Sequence, residues 1–338
     1  MTTVFQVKNK KTWESFVLNN KEGNFLQSWN WGRFHQQIGN KIFRLGFKRN
    51  NRLEGISLLI KQEAKRGIYL ECPGGPLLNW HKPVIFEEFI KEIKKRASQE
   101  NCSFIRIRPQ LRDNLFNKKL FQRQGFISAP MHLHAENTWQ LDLTKTKDQL
   151  WKEMRKNNRQ LINKAQELGV QVKESRKAGD IDLLYKLQME AVGRHHFVPF
   201  PKKYFYHQFK TFTSDNQAAI FKAVYREKVL SAALIIFYGQ SAVYHYSGSS
   251  SDYWQIPDSY LLQWAVINKA KERGHRFYNF WGIAPTSDPN HRFAGVTIFK
   301  KGFGGFPVSY LPAQDLPLTC FYWPVYLFEN IRKACRSL

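Results

Sequence analysis

Four basic side chains are spaced in a way that could serve the binding of phosphates. Lys152, Arg155, Lys156 and Arg159 occupy positions i, i+3, i+4 and i+7, which on one helix form a single cationic face. Acidic residues that could balance these charges are sparse in the same segment. The pattern has two interpretations, a solvated helix surface or a face that follows the backbone of a nucleic acid.

The sequence lacks the common motifs of nucleophilic and nucleotide chemistry. It has no G-x-S-x-G motif, no Walker A loop and no G-x-G-x-x-G motif after a strand. The glycine-rich stretch at 302–305 follows a predicted helix, as a C-terminal cap and turn does. The cysteines are Cys72, Cys102, Cys320 and Cys335. They form no C-x-x-C pair, so we expect neither a metal site nor a disulfide framework.

Charge and composition indicate a folded protein with an anionic partner. The 338 residues include 52 Lys+Arg and 27 Asp+Glu, a formal net charge of +25, while 43% are hydrophobic and 15% aromatic. Such a chain can bury a core in each of two domains, and its charge favours nucleic acid, a phosphate-bearing substrate or an acidic membrane surface. The N-terminal residues show no apolar run of signal-peptide length, so we expect a cytoplasmic protein.

The same order of elements occurs in both halves of the chain. Each half has paired strands, a long helix, a short buried strand and a short helix that ends at Gly-Phe; the long helices are predicted at 85–99 and 261–271. This order predicts an α+β fold of two tandem N-acetyltransferase-like (GNAT-like) domains, with mixed central sheets flanked by helices. We predict domain 1 at 1–145 and domain 2 at 146–338, which includes a basic helical segment at 146–168 and a C-terminal helix.

The C-terminal helix is aromatic on one side and basic at its end. It covers about residues 321–333 and is followed closely by Arg336. Two interpretations remain open, packing on the core or contact with an anionic membrane surface such as the inner leaflet.

Neither half contains the Arg/Gln-x-x-Gly-x-Gly/Ala loop that binds coenzyme A in N-acetyltransferases. Other segments are distinctive: QSWNW at 27–31, YHYSGS at 244–249, LLQWA at 261–265, AKERG at 270–274, YNFWGI at 278–283 and IFKKGFGG at 298–305. In these segments the chain resembles the FemABX family of aminoacyl-tRNA-dependent peptidyltransferases. The resemblance covers nearly the whole chain and is most specific in the last segment. No extended heptad pattern is present, so the chain resembles the compact members without a coiled-coil arm.

The resemblance implies a reaction. A stem-peptide amine of a peptidoglycan precursor, either lipid II or UDP-MurNAc-pentapeptide, attacks the ester of an aminoacyl-tRNA that carries Gly, Ala or Ser. The expected partners are these two substrates and not DNA, and the resemblance implies no cofactor and no metal. Lys300 is the implied catalytic cation, with Phe299 packed beside it. The other interpretation of Lys300 is a surface lysine at a helix end.

The resemblance also implies substrate-binding roles for a set of residues: Arg33, His35, Arg106, Arg108, Arg194, His195, Tyr204, Tyr246 and Tyr260. The resemblance also extends to residues 155–172. For the basic residues Lys152, Arg155, Lys156 and Arg159 we predict tRNA binding. This chain departs from the family at three places. His35 stands where a lysine is usual, Phe200 stands where an arginine is usual, and one of the strand-end arginines stands where a relative has an acid. Each of these side chains could instead belong to the core or the surface.

Two other functions remain open. One is a GNAT-fold N-acyltransferase that uses a different acyl donor, although the missing coenzyme A loop counts against that donor. The other is a non-enzymatic RNA-binding module, whose usual pattern of aromatic and basic residues on a sheet is not evident here.

Overall fold

The computed structural model describes residues 2–64, 67–131, 134–195 and 199–335. The chain forms two compact units: unit 1 comprises Met1–Glu136 and Ser309–Leu338, and unit 2 comprises Asn137–Val308. This division differs from the predicted ranges 1–145 and 146–338. Residues 137–145 belong to unit 2, and the C-terminal segment returns to unit 1 because it supplies a strand to that sheet.

The helices and strands follow one another in the order in which we number them. The first part of unit 1 contains β1 (Thr2–Gln6), α1 (Lys10–Asn19), α2 (Trp29–Gln37), β2 (Ile42–Arg49), β3 (Arg52–Ala64), β4 (Gly67–Pro73), β5 (Leu77–Leu78), α3 (Pro83–Gln99), β6 (Phe104–Arg108), α4 (Leu115–Gln122) and β7 (Ile127–Ser128). Unit 2 contains β8 (Asn137–Asp142), α5 (Lys147–Glu153), α6 (Lys156–Glu167), β9 (Gln171–Ser175), α7 (Asp180–His195), α8 (Lys202–Thr213), β10 (Ala218–Tyr225), β11 (Lys228–Tyr238), β12 (Ser241–Ser249), α9 (Asp258–Glu272), β13 (Phe277–Gly282), α10 (Ala294–Lys301) and β14 (Phe306–Ser309). Unit 1 then ends with β15 (Gln314–Pro317) and α11 (Tyr322–Cys335).

Each unit has one mixed sheet, and the two sheets have corresponding strand orders. In the described residues the order is β1-β2-β3-β4-β6-β15-β7 in unit 1, with β5 beside β3, and β9-β10-β11-β12-β13-β8-β14 in unit 2. The pairs β4–β6 and β12–β13 are parallel. A parallel pair needs a crossover connection, and the long helices α3 and α9 lie within these connections. The predicted mixed sheets flanked by helices are confirmed.

Burial explains why the chain folds in this way. The helix predicted at 85–99 is confirmed as α3, and its apolar residues Ile85, Phe89 and Ile93 are buried in the core of unit 1. In unit 2, β11 is buried along nearly its whole length, as expected of a central strand covered on both faces. Among the described residues, no helix combines the length and apolar character needed to cross a bilayer.

The basic segment 146–168 is not one continuous helix, in contrast to the prediction. Met154 separates α5 from α6 because its backbone is extended and its side chain is buried. The backbone N–H of Arg155 then donates to the Gly302 carbonyl over 2.9 Å. Lys152 and Lys156 therefore belong to different helices, so the four cations do not share one helical face.

Candidate active site

The central parallel strands of unit 2 separate at one end. β12 and β13 pair only as far as Val243 with Asn279, although β12 continues to Ser249. In unit 1 the equivalent strands stay paired to Pro73 with Arg108. The separation leaves backbone groups of β12 and β13 without each other as partners, which in a sheet marks a position where a ligand can lie.

Both strands carry a bulge where they separate. Opposite β11, the register of β12 passes from Tyr244 to Tyr246, which leaves His245 as the extra residue. Opposite β8, the register of β13 passes from Asn279 to Gly282 with one residue more than the partner strand. Bulges redirect side chains and increase the local twist, so these two help to keep the strands apart.

The bulge in β13 is stabilised by a side chain of the same strand. Trp281 has a φ of 64°, a left-handed conformation that costs a non-glycine residue about 1–3 kcal/mol. Its backbone N–H donates to Asn279 Oδ1 over 2.8 Å. This hydrogen bond offsets part of the cost and fixes the chain direction just before Gly282.

Helix α10 presents Lys300 to the end of β13. Lys300 lies in the last turn of α10, and its Nζ donates to the Gly282 carbonyl over 2.5 Å. One turn earlier, Thr297 Oγ1 accepts a hydrogen bond from the Ala284 backbone N–H over 2.8 Å. The same face of α10 is therefore attached to the last residue of β13 and to the segment just after it, and these two contacts fix the position of the ammonium group.

Lys300 is a buried cation held by a neutral acceptor. It is 7% exposed, and among the described residues no carboxylate forms an ion pair with it. Burial lowers the pKa of Lys300 from 10.5 to about 7, because desolvation disfavours the charged form. A lysine of this kind is partly protonated at neutral pH, and its positive charge is not neutralised by an acid.

Phe299 and Tyr260 lie on the adjoining side of α10. Their rings meet edge to face with centroids 5.0 Å apart, and both contact the buried Phe303. Burial raises the pKa of Tyr260, so its hydroxyl stays protonated at neutral pH. Tyr260 therefore supports Phe299, the residue next to Lys300.

An aromatic row leads from α8 to the bulge of β13. Tyr204 stacks on Phe200 at 4.2 Å, and Tyr246 lies between Phe200 and His245. The ring of His245 then meets Trp281 edge to face at 5.7 Å. The structure thus brings together Tyr204 and Tyr246, two of the predicted substrate-binding tyrosines, and connects them to the strand end beside Lys300.

Two polar groups of this row, Tyr246 and His245, are uncharged at neutral pH. Burial, together with its hydrogen-bonded neighbour Tyr204, raises the pKa of Tyr246 well above 10. Burial lowers the pKa of His245 to about 3, and the Gln208 amide donates to its Nε2 over 2.8 Å. The row therefore offers hydrogen bonds and ring surfaces to a ligand and leaves Lys300 as the cation.

The glycine-rich stretch Gly302–Gly305 packs against its own unit. A Cβ on Gly302 would lie 2.5 Å from the amide of Asn158, at the start of α6. A Cβ on Gly305, whose φ is 90°, would lie 2.2 Å from the Gln140 carbonyl in β8. These glycines let α10 approach its neighbours closely, and Gly302 ends the helix as predicted.

In unit 1, Arg108 lies in a buried polar cluster. Its Nη1 donates to Glu71 Oε1 over 2.7 Å and lies 3.2 Å from His134 Nδ1. Among the described residues, its Nε and Nη2 are buried without a hydrogen-bond partner. Buried guanidinium groups normally satisfy these donors, so Arg108 retains the capacity to bind an anionic oxygen.

Arg106, for which the resemblance implied substrate binding, forms buried ion pairs inside unit 1. Its guanidinium donates to both carboxylate oxygens of Asp315 and also to Glu329. Tyr322 donates to the same aspartate over 3.0 Å. Arg106 thereby links β6 to β15 and α11, and its donors are already occupied.

Arg33 and His35, for which the resemblance implied substrate binding, lie in different surroundings on α2. Positions two apart on a helix point in nearly opposite directions; Arg33 is exposed whereas His35 is buried. Burial, only partly opposed by Glu71, lowers the pKa of His35 to about 4. His35 is thus neutral at neutral pH and cannot supply a charge to a phosphate.

The cations of α5 and α6 remain on the surface. Lys152, Arg155 and Lys156 are exposed, whereas Arg159 is half-buried and donates from Nη1 to the Lys152 carbonyl over 3.2 Å. Arg159 therefore also stabilises the junction of the two helices. The side chains of Arg194 and His195, which end α7, lie outside the described residues.

Sequence reasoning assigned no role to Asn279, Trp281 or Thr297. The first two lie inside the YNFWGI segment, but neither residue type identifies a bulge without knowledge of the partner strand. The signal available in the sequence was Asn279, a polar residue near the end of a strand predicted to be buried.

Comparison with known proteins identifies the family to which most of the chain is similar. The model of the FemAB family matches residues 9–227 and 216–326, which confirms the predicted resemblance. The aminoacyltransferase FemA of Staphylococcus epidermidis is 36% identical over 100 residues, 30% of this chain and 24% of FemA. That match spans about a quarter of FemA. The lipid II:glycine glycyltransferase of the same species is 20% identical over 365 residues, 87% of this chain and 88% of that protein.

Solved structures show the same fold. The crystal structure of FemX has a TM-score of 0.84 at 16% identity, covering 96% of this chain and 99% of that chain. A tandem GNAT protein from the clavulanic acid biosynthesis pathway has a TM-score of 0.58 at 10% identity, covering 94% and 98% of the two chains. The predicted fold of two tandem GNAT-like domains is confirmed.

Proposed function

Because the chain belongs to the FemAB family, we propose that it is an aminoacyltransferase that helps to build the interpeptide bridges of peptidoglycan. It moves Gly, Ala or Ser from aminoacyl-tRNA to an amine of the precursor's stem peptide. One relative that is similar over most of its length is a lipid II:glycine glycyltransferase. The observation that carries the proposal is Lys300, a buried cation without an acidic partner among the described residues.

The proposed reaction needs positioning and charge stabilisation. The acceptor amine attacks the ester carbonyl, a C–N bond forms, and the C–O bond to the tRNA ribose breaks as one proton passes from nitrogen to the ribose oxygen. An ester is already activated, so no covalent enzyme intermediate is required. The negative charge that develops on the carbonyl oxygen is stabilised by the Lys300 ammonium. Because the ammonium is buried, its attraction for this charge is stronger than that of a cation in water.

Lys300 can also serve the leaving group. Its pKa of about 7 is close to the working pH of a cytoplasmic enzyme, where acid and base forms interconvert readily. The protonated form stabilises the oxyanion and can then pass a proton to the ribose oxygen. Proton return from the attacking amine restores the ammonium, so the enzyme is unchanged at the end of the cycle.

We assign substrate contacts on the same basis. Tyr204 and Tyr246 offer ring surfaces and hydroxyl groups to the acceptor, and Arg108 offers its unsatisfied donors to an anionic group of the precursor. The exposed Lys152, Arg155 and Lys156 contact tRNA phosphates. Arg106 and His35 are excluded from the charged contacts, because the first is saturated by carboxylates and the second is neutral.

The substrates also suggest a place of action. Aminoacyl-tRNA is a cytoplasmic donor, and a lipid-linked acceptor would present its stem peptide at the inner leaflet of the membrane. We therefore propose a cytoplasmic protein that touches this leaflet from the inside.

Direct transfer assays test the proposal. Purified protein is given radiolabelled glycyl-, alanyl- or seryl-tRNA together with UDP-MurNAc-pentapeptide or lipid II. We expect label to enter one acceptor from at least one donor. Absence of label from every combination, or acylation of the acceptor by acetyl coenzyme A instead, would refute the proposal.

A further inference from the structure

Helix α11 has two different faces. Its inner face packs on the unit 1 sheet through the buried Tyr322 and Val325, which contact Phe104. Glu329 on the same side forms an ion pair with Arg106 at 2.8 Å. These contacts hold α11 firmly to the sheet, so its other face has a defined orientation.

The outer face of α11 is apolar and exposed. Together with the preceding residue, five large hydrophobic side chains are between 49% and 74% exposed: Phe321, Trp323, Leu327, Phe328 and Ile331. With 100° between successive residues, the four within the helix fall in an arc of about 140°. Tyr322, Val325 and Glu329 lie on the opposite side. The exposed residues thus form one continuous stripe, which we call the α11 stripe.

We propose that the α11 stripe lies in the surface of an anionic lipid bilayer. Helices that rest on membranes combine an apolar face containing Trp, Phe and Leu with basic residues beside it. Here Arg332 and Lys333 stand in the last turn. The helix has 14 residues, about 21 Å in length, which is shorter than the hydrocarbon core of a bilayer.

Charge decides between a bilayer and a second copy of the chain. The protein carries a formal net charge of +25, so two copies repel one another, whereas a surface rich in acidic lipids attracts each of them. The acid within α11, Glu329, is already paired with Arg106 and does not oppose such contact. An anionic bilayer therefore complements both the charge and the apolar stripe.

The inference specifies the membrane contact proposed above, and it is independent of the transfer chemistry. Vesicle binding requires neither tRNA nor acceptor, so its failure would leave the aminoacyltransferase assignment intact. Conversely, a protein that binds vesicles but transfers no amino acid would retain this surface and lose the assignment.

The test uses the full-length protein and vesicle flotation. One set of vesicles contains phosphatidylcholine alone, and the other also contains phosphatidylglycerol. We expect binding to the second set that weakens with added salt. The variant Trp323→Ser/Leu327→Ser/Ile331→Ser keeps every charge and should bind at least tenfold more weakly. Its thermal unfolding should match the wild type, and so should its transfer to whichever acceptor the wild type uses, measured without vesicles.

A matched control is available in the same unit. Leu115 and Phe116 at the start of α4 are 74% and 73% exposed, so Leu115→Ser/Phe116→Ser removes a similar apolar surface elsewhere. This variant should bind vesicles like the wild type. Equal binding by the triple variant would overturn the proposal, as would absence of binding by the wild type. The proposal would also be overturned if, in lipid-free buffer, the wild type formed a dimer and the triple variant did not.

Discussion

The Lys300 ammonium donates a hydrogen bond to the Gly282 carbonyl, and this contact joins the end of α10 to the bulge of β13. A carboxylate at this position would neutralise the charge, whereas a carbonyl oxygen orients it and leaves it available. The hydrogen bond of Trp281 to Asn279 sets the direction of the chain just before this carbonyl. The geometry of the site therefore depends on the bulge of β13 as well as on Lys300.

The first prediction concerns pH. Because burial lowers the pKa of Lys300 to about 7, its active ammonium form is lost as the pH rises above that value. Lys300→Arg keeps a positive charge throughout. The ratio of kcat/KM between wild type and this variant should be constant below about pH 7 and fall up to tenfold per pH unit above it. Single-turnover transfer measures the ratio, and ionisation of the acceptor amine cancels from it.

The opposite slope would identify a different mechanism. A ratio that rises above pH 7 would make the neutral amine of Lys300 the active form, acting as a base. A ratio that stays flat would show that Lys300 does not titrate in this range.

The second prediction concerns Asn279 as a positioning residue. Asn279→Ala removes the acceptor of the Trp281 N–H and should lower kcat about tenfold, equivalent to about 1.4 kcal/mol. The KM for aminoacyl-tRNA should change little, because α5 and α6 are untouched. Asn279→Asp keeps an acceptor oxygen and is the comparison variant. Equal kcat values for Asn279→Ala and the wild type would contradict the role.

The third prediction compares two glycines near Lys300. Gly305→Ala places a Cβ against the Gln140 carbonyl at a φ of 90° and should lower the free energy of unfolding by about 2 kcal/mol or more. Gly295→Ala lies in α10, where nothing stands within 4 Å of the new Cβ. It should leave stability unchanged or raise it by up to about 1 kcal/mol. Urea unfolding distinguishes the two, and equal stabilities would refute the packing argument.

The fourth prediction concerns the tRNA surface. Replacing Lys152, Arg155 and Lys156 with glutamine should reduce the slope of log affinity against log salt by about 2, because each phosphate contact contributes roughly 0.7–0.9. Lys91, Lys94 and Lys95 are equally exposed on α3, and their replacement should leave the slope nearly unchanged. Filter binding over a range of salt concentrations gives both slopes. If the slope decreases equally in the two triple variants, tRNA binding depends on net charge and not on the surface of α5 and α6.

Local patterns in the sequence predicted much of the fold. Serine directly before a helix is a common N-cap, and the Ser28 hydroxyl accepts the Trp31 N–H over 3.0 Å at the start of α2. The helix at 85–99 and the glycine cap of α10 were predicted, since each depends on residues that are close together in the sequence. Lys300 was proposed as the catalytic cation from the family resemblance alone. Its burial and its hydrogen bond to Gly282 could not be predicted, because they depend on the fold.

Features that depend on distant partners were not predictable. The return of β15 to unit 1 requires pairing between Gln314 and Ile107, which no local pattern contains. The break between α5 and α6 depends on burial of Met154, and the neutral state of His35 depends on burial of its ring. The ion pairs of Arg106 could not be predicted for the same reason, because Asp315 and Glu329 lie more than 200 positions away in the sequence.

The most direct test of the central claim is single-turnover transfer by Lys300→Met, with tRNA affinity measured on the same preparation. The account predicts a loss of at least 100-fold in transfer rate, typical for removal of an oxyanion-stabilising group, and tRNA affinity within about twofold of the wild type. Transfer at the wild-type rate by this variant would contradict the assignment of Lys300 as the catalytic cation.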